Sequence, residues 1–173
     1  MKGKVVIISA PSGAGKTSIV SHLLGKDLGL EFSVSATTRK PRKNEIDGKD
    51  YYFITVSDFR SRINNDEFLE WEEVYKDQFY GTLKSEIKRI WSQNKHVLFD
   101  VDVRGGVNLK KKFGKQAISI FIMPPSVPEL EKRLFARGTD EKAKIRMRVE
   151  KAIEEIKLAD RFDNIVVNIN LET

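Results

Sequence analysis

The sequence predicts an α/β fold in which a parallel sheet is flanked by helices and interrupted by a β-rich insertion. Three observations lead there. Short runs of Val, Ile and Phe alternate with segments whose apolar residues recur at helical spacing. A glycine-rich stretch, "SAPSGAGKT" at residues 9–17, follows the first run and opens the first helical segment. Residues 31–81 break the alternation with short pieces of period two.

Taken in order, "KVVIIS" (4–9) reads as a buried first strand, since an unbroken apolar run suits a parallel strand covered on both faces. A helix over 17–24 puts Ile19, Val20, Leu23 and Leu24 on one face. "EFSVSA", "DYYFI", "FLEWEEV" and "QFYG", with a turn at Asp47-Gly48, form the insertion. Leu83, Ile87, Ile90 and Trp91 predict a helix over 82–94, and "KHVLFDVD" (95–102) and "AISIFIM" (117–123) predict buried strands. "SVPELEKRLFARG" (126–138) predicts a helix opened by a capping box of Ser126 and Glu129 and stopped at Gly138. A long helix over 140–162 carries Ile145, Val149, Ala152, Ile153, Ile156 and Ala159 in register, and "NIVVN" (164–168) reads as a last buried strand.

Composition narrows the classes of function. The 173 residues include no cysteine, which excludes disulfides and thiolate metal centres and suits a reducing compartment. His22 and His96 lack metal-ligand spacing, so no zinc site is expected. The apolar run at 4–9 is too short for a signal-peptide core or a membrane span, and a cytoplasmic protein without membrane association is expected. A net charge of +6 points to an anionic partner, although a generally basic surface gives the same sum. No RNA- or DNA-binding signature occurs, so no nucleic-acid partner is expected.

"SAPSGAGKT" carries the requirements of a phosphate-binding loop, with Ala10 where the pattern has its first glycine. Gly13 and Gly15 let backbone N–H groups approach phosphate oxygens, and the following helix N-terminus favours negative charge. Lys16 is placed to reach β- and γ-phosphates, and the Thr17 hydroxyl to ligate magnesium. Ala10 is tolerable where its φ stays negative. In "FDVD" (99–102), a strand-end carboxylate is expected to hold magnesium and its waters, and Asp100 is the candidate; such aspartates also cap helices. Arginines fall in two clusters, Arg39 and Arg42 in the insertion and Arg133, Arg137 and Arg148 toward the C-terminus. Guanidinium groups fit phosphate oxygens two at a time, so two clusters suggest two phosphate-bearing ligands. A solvated basic surface is the plainer alternative for any one of these arginines.

"SVSATTRKPRKNEIDGKDYYF", "FLEWEEV", "QFYGT", "LFDVDVRGG" and "RLFARGTD", in that order behind the loop, strongly resemble the guanylate kinase family from about residue 4 to residue 168. The resemblance implies a P-loop kinase core over 1–32, 85–125 and 155–173, a GMP-binding subdomain over 33–84 and a helical lid over 126–154. It implies that Ser12, Gly13, Ala14, Gly15, Lys16, Thr17 and Ser18 bind ATP, with Mg2+ at Thr17 and Asp100. It further implies that Ser35, Glu70, Thr82 and Asp102 face guanine, and that Arg39, Arg42, Tyr51 and Tyr80 hold the GMP phosphate. Lys16, Arg133, Arg137 and Arg148 are its implied catalytic set. Tyr80 is chosen over Phe79, and Arg148 over Arg146 by counting from Arg137.

The implied activity is transfer of the ATP γ-phosphoryl group to GMP and dGMP, giving ADP and GDP in purine nucleotide metabolism, by a monomer or homodimer. The competing reading is a catalytically inactive guanylate-kinase-like module that binds other ligands. Such modules typically lose the loop lysine or the lid arginines, whereas Lys16, Thr17, Arg133 and Arg137 are all present.

Overall fold

The computed structural model of the chain describes residues 3–136 and 142–170. In chain order it forms β1 (Val5–Ser9), α1 (Lys16–Leu24), β2 (Leu30–Phe32), β3 (Ala36–Thr37), β4 (Tyr52–Phe53), α2 (Val56–Asn64), β5 (Phe68–Tyr75) and β6 (Gln78–Leu83). There follow α3 (Lys84–Ser92), β7 (His96–Val101), α4 (Val103–Phe113), β8 (Ala117–Met123), α5 (Val127–Ala136), α6 (Lys142–Ile156) and β9 (Asn164–Val167). Packing groups residues 1–3 and 31–97 into one unit and residues 4–30 and 98–173 into another. α3 falls in the first of these units.

The second unit contains most of a five-stranded sheet of order β2-β7-β1-β8-β9. β1 pairs in parallel with β8, and β8 in parallel with β9. Val5, Ile7 and Ile8 of β1 are buried, as the unbroken apolar run requires of a central strand. α4 is capped by Asp102, whose Oδ1 accepts the Gly105 N–H at 2.6 Å. A Cβ at Gly106 would collide with Ser9 Oγ and touch the Phe162 ring at 3.0 Å, so this glycine sets how closely α4 approaches β1. Phe121 and Phe162 meet edge to face at 5.4 Å beside Val103. α5 and α6 share a core of Leu130, Leu134, Ile145 and Ala152, and the Ser126 hydroxyl accepts the Glu129 N–H as the capping box predicts.

In the first unit the sheet order is β4-β3-β6-β5. β5 and β6 are antiparallel, with Glu70 opposite Thr82 and Glu72 opposite Tyr80. Its core is aromatic: Phe59 stacks on Phe68 at 4.2 Å and on Phe79 at 5.2 Å, closed by Ala36 and Leu83. Phe59 comes from α2, a helix that the period-two reading of this region passes over. Thr55 accepts the Asp58 N–H at its N-terminus.

Three further expectations change. "EFSVSA" divides between β2 and β3, which lie in different sheets. The long C-terminal helix stops at Ile156, and a short 3-10 turn follows over Ala159–Arg161. "NIVVN" is a strand but not a buried one: β9 is the outer strand of its sheet, and all four of its residues are exposed. Its entry is fixed by Asp163, which accepts both the N–H and the hydroxyl of Ser119 on β8, at 2.7 and 2.9 Å.

Candidate active site

The glycine-rich loop lies between β1 and α1. Gly13 and Gly15 have φ of 94° and 91°, a region that L side chains rarely adopt, while Ala10 is not among the residues of positive φ and is buried. The methyl at position 10 therefore adds no backbone strain. The loop closes by an Ala14 N–H donating to Pro11 O at 3.1 Å, and the buried Ala14 is held from the far end of the chain, where Asn168 Nδ2 donates to Ala14 O at 2.7 Å. Gly13 sits against Leu134 and Leu130, which leaves little room for a side chain.

Lys16, the first residue of α1, extends to the end of β7. Its Nζ lies 2.5 Å from Asp100 Oδ1 and donates to Val101 O at 2.7 Å. Thr17 and Ser18 are exposed in the first turn of α1. Among the described residues no three His, Asp or Glu side chains group as a metal cage. One hydroxyl and one carboxylate nevertheless suit Mg2+, which keeps several waters and takes phosphate oxygens when it binds with a nucleotide. Asp102 serves as the cap of α4 through Oδ1, and its carbonyl accepts from Ser9 Oγ at 3.1 Å.

α6 meets the loop at Ser12. Arg148 donates through Nε to Ser12 Oγ at 3.1 Å and also through Nη2. Glu155, two turns further along, accepts the Ser12 N–H. Burial pushes the Glu155 carboxyl up, with Asp102 adding to the rise and Lys151 opposing it. Arg146 points to solvent, so of the two arginines in this stretch it is Arg148 that reaches the loop. Arg133, on α5, donates to Glu129 at 3.0 Å and to the carbonyls of Asn168 and Ile169 at 3.2 Å each. Arg137 lies outside the described residues.

The other residues singled out in the sequence fall in the first unit. Thr82 is fully buried and its hydroxyl donates to Glu70 Oε1 at 2.8 Å across the β5–β6 pair. Ser35 lies between β2 and β3, and its carbonyl accepts the Tyr52 N–H at 2.9 Å. Arg39 lies over the rings of Tyr51 at 4.9 Å and Phe53 at 5.6 Å, and Tyr51 meets Tyr80 edge to face at 6.0 Å. Strand alternation separates the neighbours at 79 and 80: Phe79 enters the aromatic core, while Tyr80 stands on the opposite face with Tyr51. Arg42 is exposed, and its N–H donates to Glu45 at 2.8 Å.

Glu45, Asn168 and Glu155 are residues that motif reading missed. Glu45 takes both ends of the Arg39 guanidinium at 2.6 Å each. The Arg39 pair, helped by the Arg42 N–H, holds the Glu45 carboxyl down at about 2. Its sequence signal was the glutamate inside "TTRKPRKNE". Asn168 and Glu155 carry no local signal, because their partners lie in the N-terminal loop.

A strand, a glycine loop closed by Lys-Thr and a strand-end carboxylate on that lysine define the P-loop phosphotransferases. The family model described as guanylate kinase matches residues 2–173. The chain is 51% identical to the guanylate kinase of Bacteroides thetaiotaomicron over 172 residues, 99% of this chain and 84% of that protein. It is 52% identical to that of Porphyromonas gingivalis over 171 residues, covering 98% of this chain and 91% of that one. The crystal structure of guanylate kinase from Anaplasma phagocytophilum superposes with a TM-score of 0.77 at 30% identity, covering 98% of this chain and 79% of that one. The chain belongs to the guanylate kinase family.

Proposed function

We propose that the protein transfers the γ-phosphoryl group of ATP to GMP, releasing ADP and GDP, and to dGMP, releasing ADP and dGDP, in the cytoplasm. The observation that carries this reading is the intact loop with Lys16 held at the end of β7, because an inactive binding module has no need of it. Arg133 and Arg148 remain on α5 and α6, within the segment 126–154 that we assign as the lid.

Guanine offers N1–H and the N2 amine as adjacent donors. Glu70 accepts both, and the buried Thr82 hydroxyl holds its carboxylate in place by donating to Oε1. Ser35 donates to O6, and Asp102 faces the base with the oxygen that does not cap α4. Adenine lacks that arrangement and would leave these groups unpaired, which supports discrimination on the order of 10⁴. Arg39, Arg42, Tyr51 and Tyr80 take the GMP phosphate, with Glu45 and the rings beneath presetting the Arg39 fork.

A GMP phosphate oxygen is already an anionic nucleophile. It attacks the γ-phosphorus, the bond from phosphorus to the β–γ bridging oxygen breaks, and ADP leaves with the electron pair. No general base is required, in keeping with the absence of a motif histidine. The work is alignment of two polyanions and neutralisation of their repulsion. Lys16 shifts from Asp100 toward the β- and γ-phosphates, and Arg133, Arg137 and Arg148 neutralise the transferring group. Thr17 and Asp100 would hold Mg2+, which supplies charge neutralisation when bound with ATP. The test is ADP release from Mg-ATP with GMP, dGMP, AMP, CMP and UMP as separate acceptors. Preference for AMP, or no turnover with any acceptor, overturns the reading. Glu70→Gln is expected to depress GMP use alone, and an equal loss with AMP removes Glu70 from base recognition.

A further inference from the structure

Glu86 is a buried acid that the mechanism above does not use. It lies in the first turn of α3, four residues beyond Thr82, and is 3% exposed. Its two carboxylate oxygens are fully engaged. Oε2 accepts the Val34 N–H at 3.1 Å and Arg89 Nη2 at 3.0 Å; Oε1 accepts the Tyr52 hydroxyl at 2.9 Å and Arg89 Nε at 3.0 Å.

These bonds close a ring around one residue. The Val34 N–H, immediately before Ser35, is fixed by Glu86. The Ser35 carbonyl accepts the Tyr52 N–H at 2.9 Å, and the Tyr52 hydroxyl returns to the same carboxylate. Ser35 itself belongs to neither flanking strand, β2 ending at Phe32 and β3 starting at Ala36. A connection of this kind is positioned by its hydrogen bonds rather than by a ladder. Arg89 extends the brace, donating to Phe32 O at 3.3 Å and to Glu31 Oε1 at 3.4 Å, so the chain leading into Ser35 is gripped at residues 31, 32 and 34.

We infer that Glu86 is a positioning residue for guanine recognition: it sets Ser35 relative to Thr82, so that the Ser35 hydroxyl and the Glu70 carboxylate that Thr82 holds meet the base edge together. This rests on the guanine reading proposed above. Placement on the first turn of α3, which follows β6 directly, ties the carboxylate to the β6 residue Thr82, and the ring ties it to Ser35. Burial alone would raise the Glu86 carboxyl, but Arg89, the Tyr52 hydroxyl and the Val34 N–H outweigh it and leave it below its ordinary value. It is therefore ionised, and an acceptor for all its donors, at neutral pH.

A buried acid can also serve stability alone, and the variants separate the two roles. Glu86→Ala removes the ring. Glu86→Gln keeps it, with the amide oxygen accepting the Val34 N–H and Nε2 donating to the Tyr52 oxygen, while the bond to Arg89 Nε is lost. Tyr52→Phe removes one arm. The full chain is assayed with saturating Mg-ATP and varied GMP, then with saturating GMP and varied Mg-ATP, alongside thermal unfolding. Glu86→Ala is expected to raise the KM for GMP about tenfold, the scale of losing a hydrogen bond to a charged acceptor. The KM for ATP should stay within about twofold, since the ATP loop contains no partner of Glu86. Glu86→Gln is expected to melt lower than wild type yet keep a near-normal KM for GMP, and Tyr52→Phe to fall between. Loss of activity in proportion to loss of folded protein, with unchanged KM values in what remains folded, overturns the inference. So does a Glu86→Gln variant as impaired toward GMP as Glu86→Ala. Wild-type turnover of GMP over AMP is measured in the same plates, so failure of the guanine reading shows there independently of any variant.

Discussion

Replacing Gly15 by alanine tests how the phosphate loop is held. Gly15 has φ 91° and ψ 16°, and a non-glycine residue in the left-handed region costs about 1–2 kcal/mol. The new methyl would also collide with Asn168 Nδ2, the far end of a side chain that can swing away. Moving it gives up the 2.7 Å bond to Ala14 O, a further loss of about 1 kcal/mol. The combined effect is about 2–3 kcal/mol, or a fall in Tm of roughly 4–12 °C for a chain of this length. Urea unfolding of wild type, Gly15→Ala, Asn168→Ala and the double variant measures each part. Asn168→Ala alone should cost about 1 kcal/mol, and the double variant should fall short of the summed singles by about the same amount. Strict additivity would refute the collision and the claim that Asn168 braces the loop. A Gly15→Ala variant as stable as wild type would refute the strain as well.

Lys16→Ala should reduce turnover by at least about 10²–10³-fold while leaving the urea midpoint nearly unchanged, because the side chain is partly exposed and its bonds are peripheral to the core. Arg148→Ala should lower kcat whereas Arg146→Ala should leave kinetics unchanged; equal effects would show that contact with Ser12 does not mark the functional arginine. Glu45, held at about 2 by Arg39 and the Arg42 N–H, contributes stability that is fully present above its unfolded value near 4.5 and is lost as pH falls toward 2. Acid unfolding of Glu45→Gln should therefore be shallower than wild type between about pH 4.5 and 2, and the two curves should differ by a constant amount at neutral pH.

The core strands and the loop were legible in the sequence because their signals are local. A run such as "VVIIS" is buried by its own composition, and glycine-rich turns between strand and helix need little context. The residues that orient the loop and the arginine fork were not legible. Asn168 lies 154 positions from Ala14, and Arg148 lies 136 positions from Ser12, so no spacing rule connects them. α2 was hidden by a different cause. Only Phe59 of its nine residues is buried, and its cap, Thr55 to Asp58, sat inside a region already read as strands. β9 misled in the opposite direction, since composition reports an apolar strand but not its place at the edge of a sheet. Glu86 was invisible because a glutamate in the first turn of a helix is ordinary, and only its four donors make it unusual.

The brace between Asn168 and Ala14 has a consequence for the order in which the protein becomes competent. The loop is made early in synthesis, but the side chain that fastens it emerges 154 residues later. At about 5–20 residues per second, a ribosome leaves the loop unfastened for roughly 8–30 s. Nucleotide added to stalled nascent chains should protect the loop from protease only in those long enough to include Asn168, the residue after β9. Competence would then arrive as one late event, in which the residue that follows β9 finishes a site begun after β1.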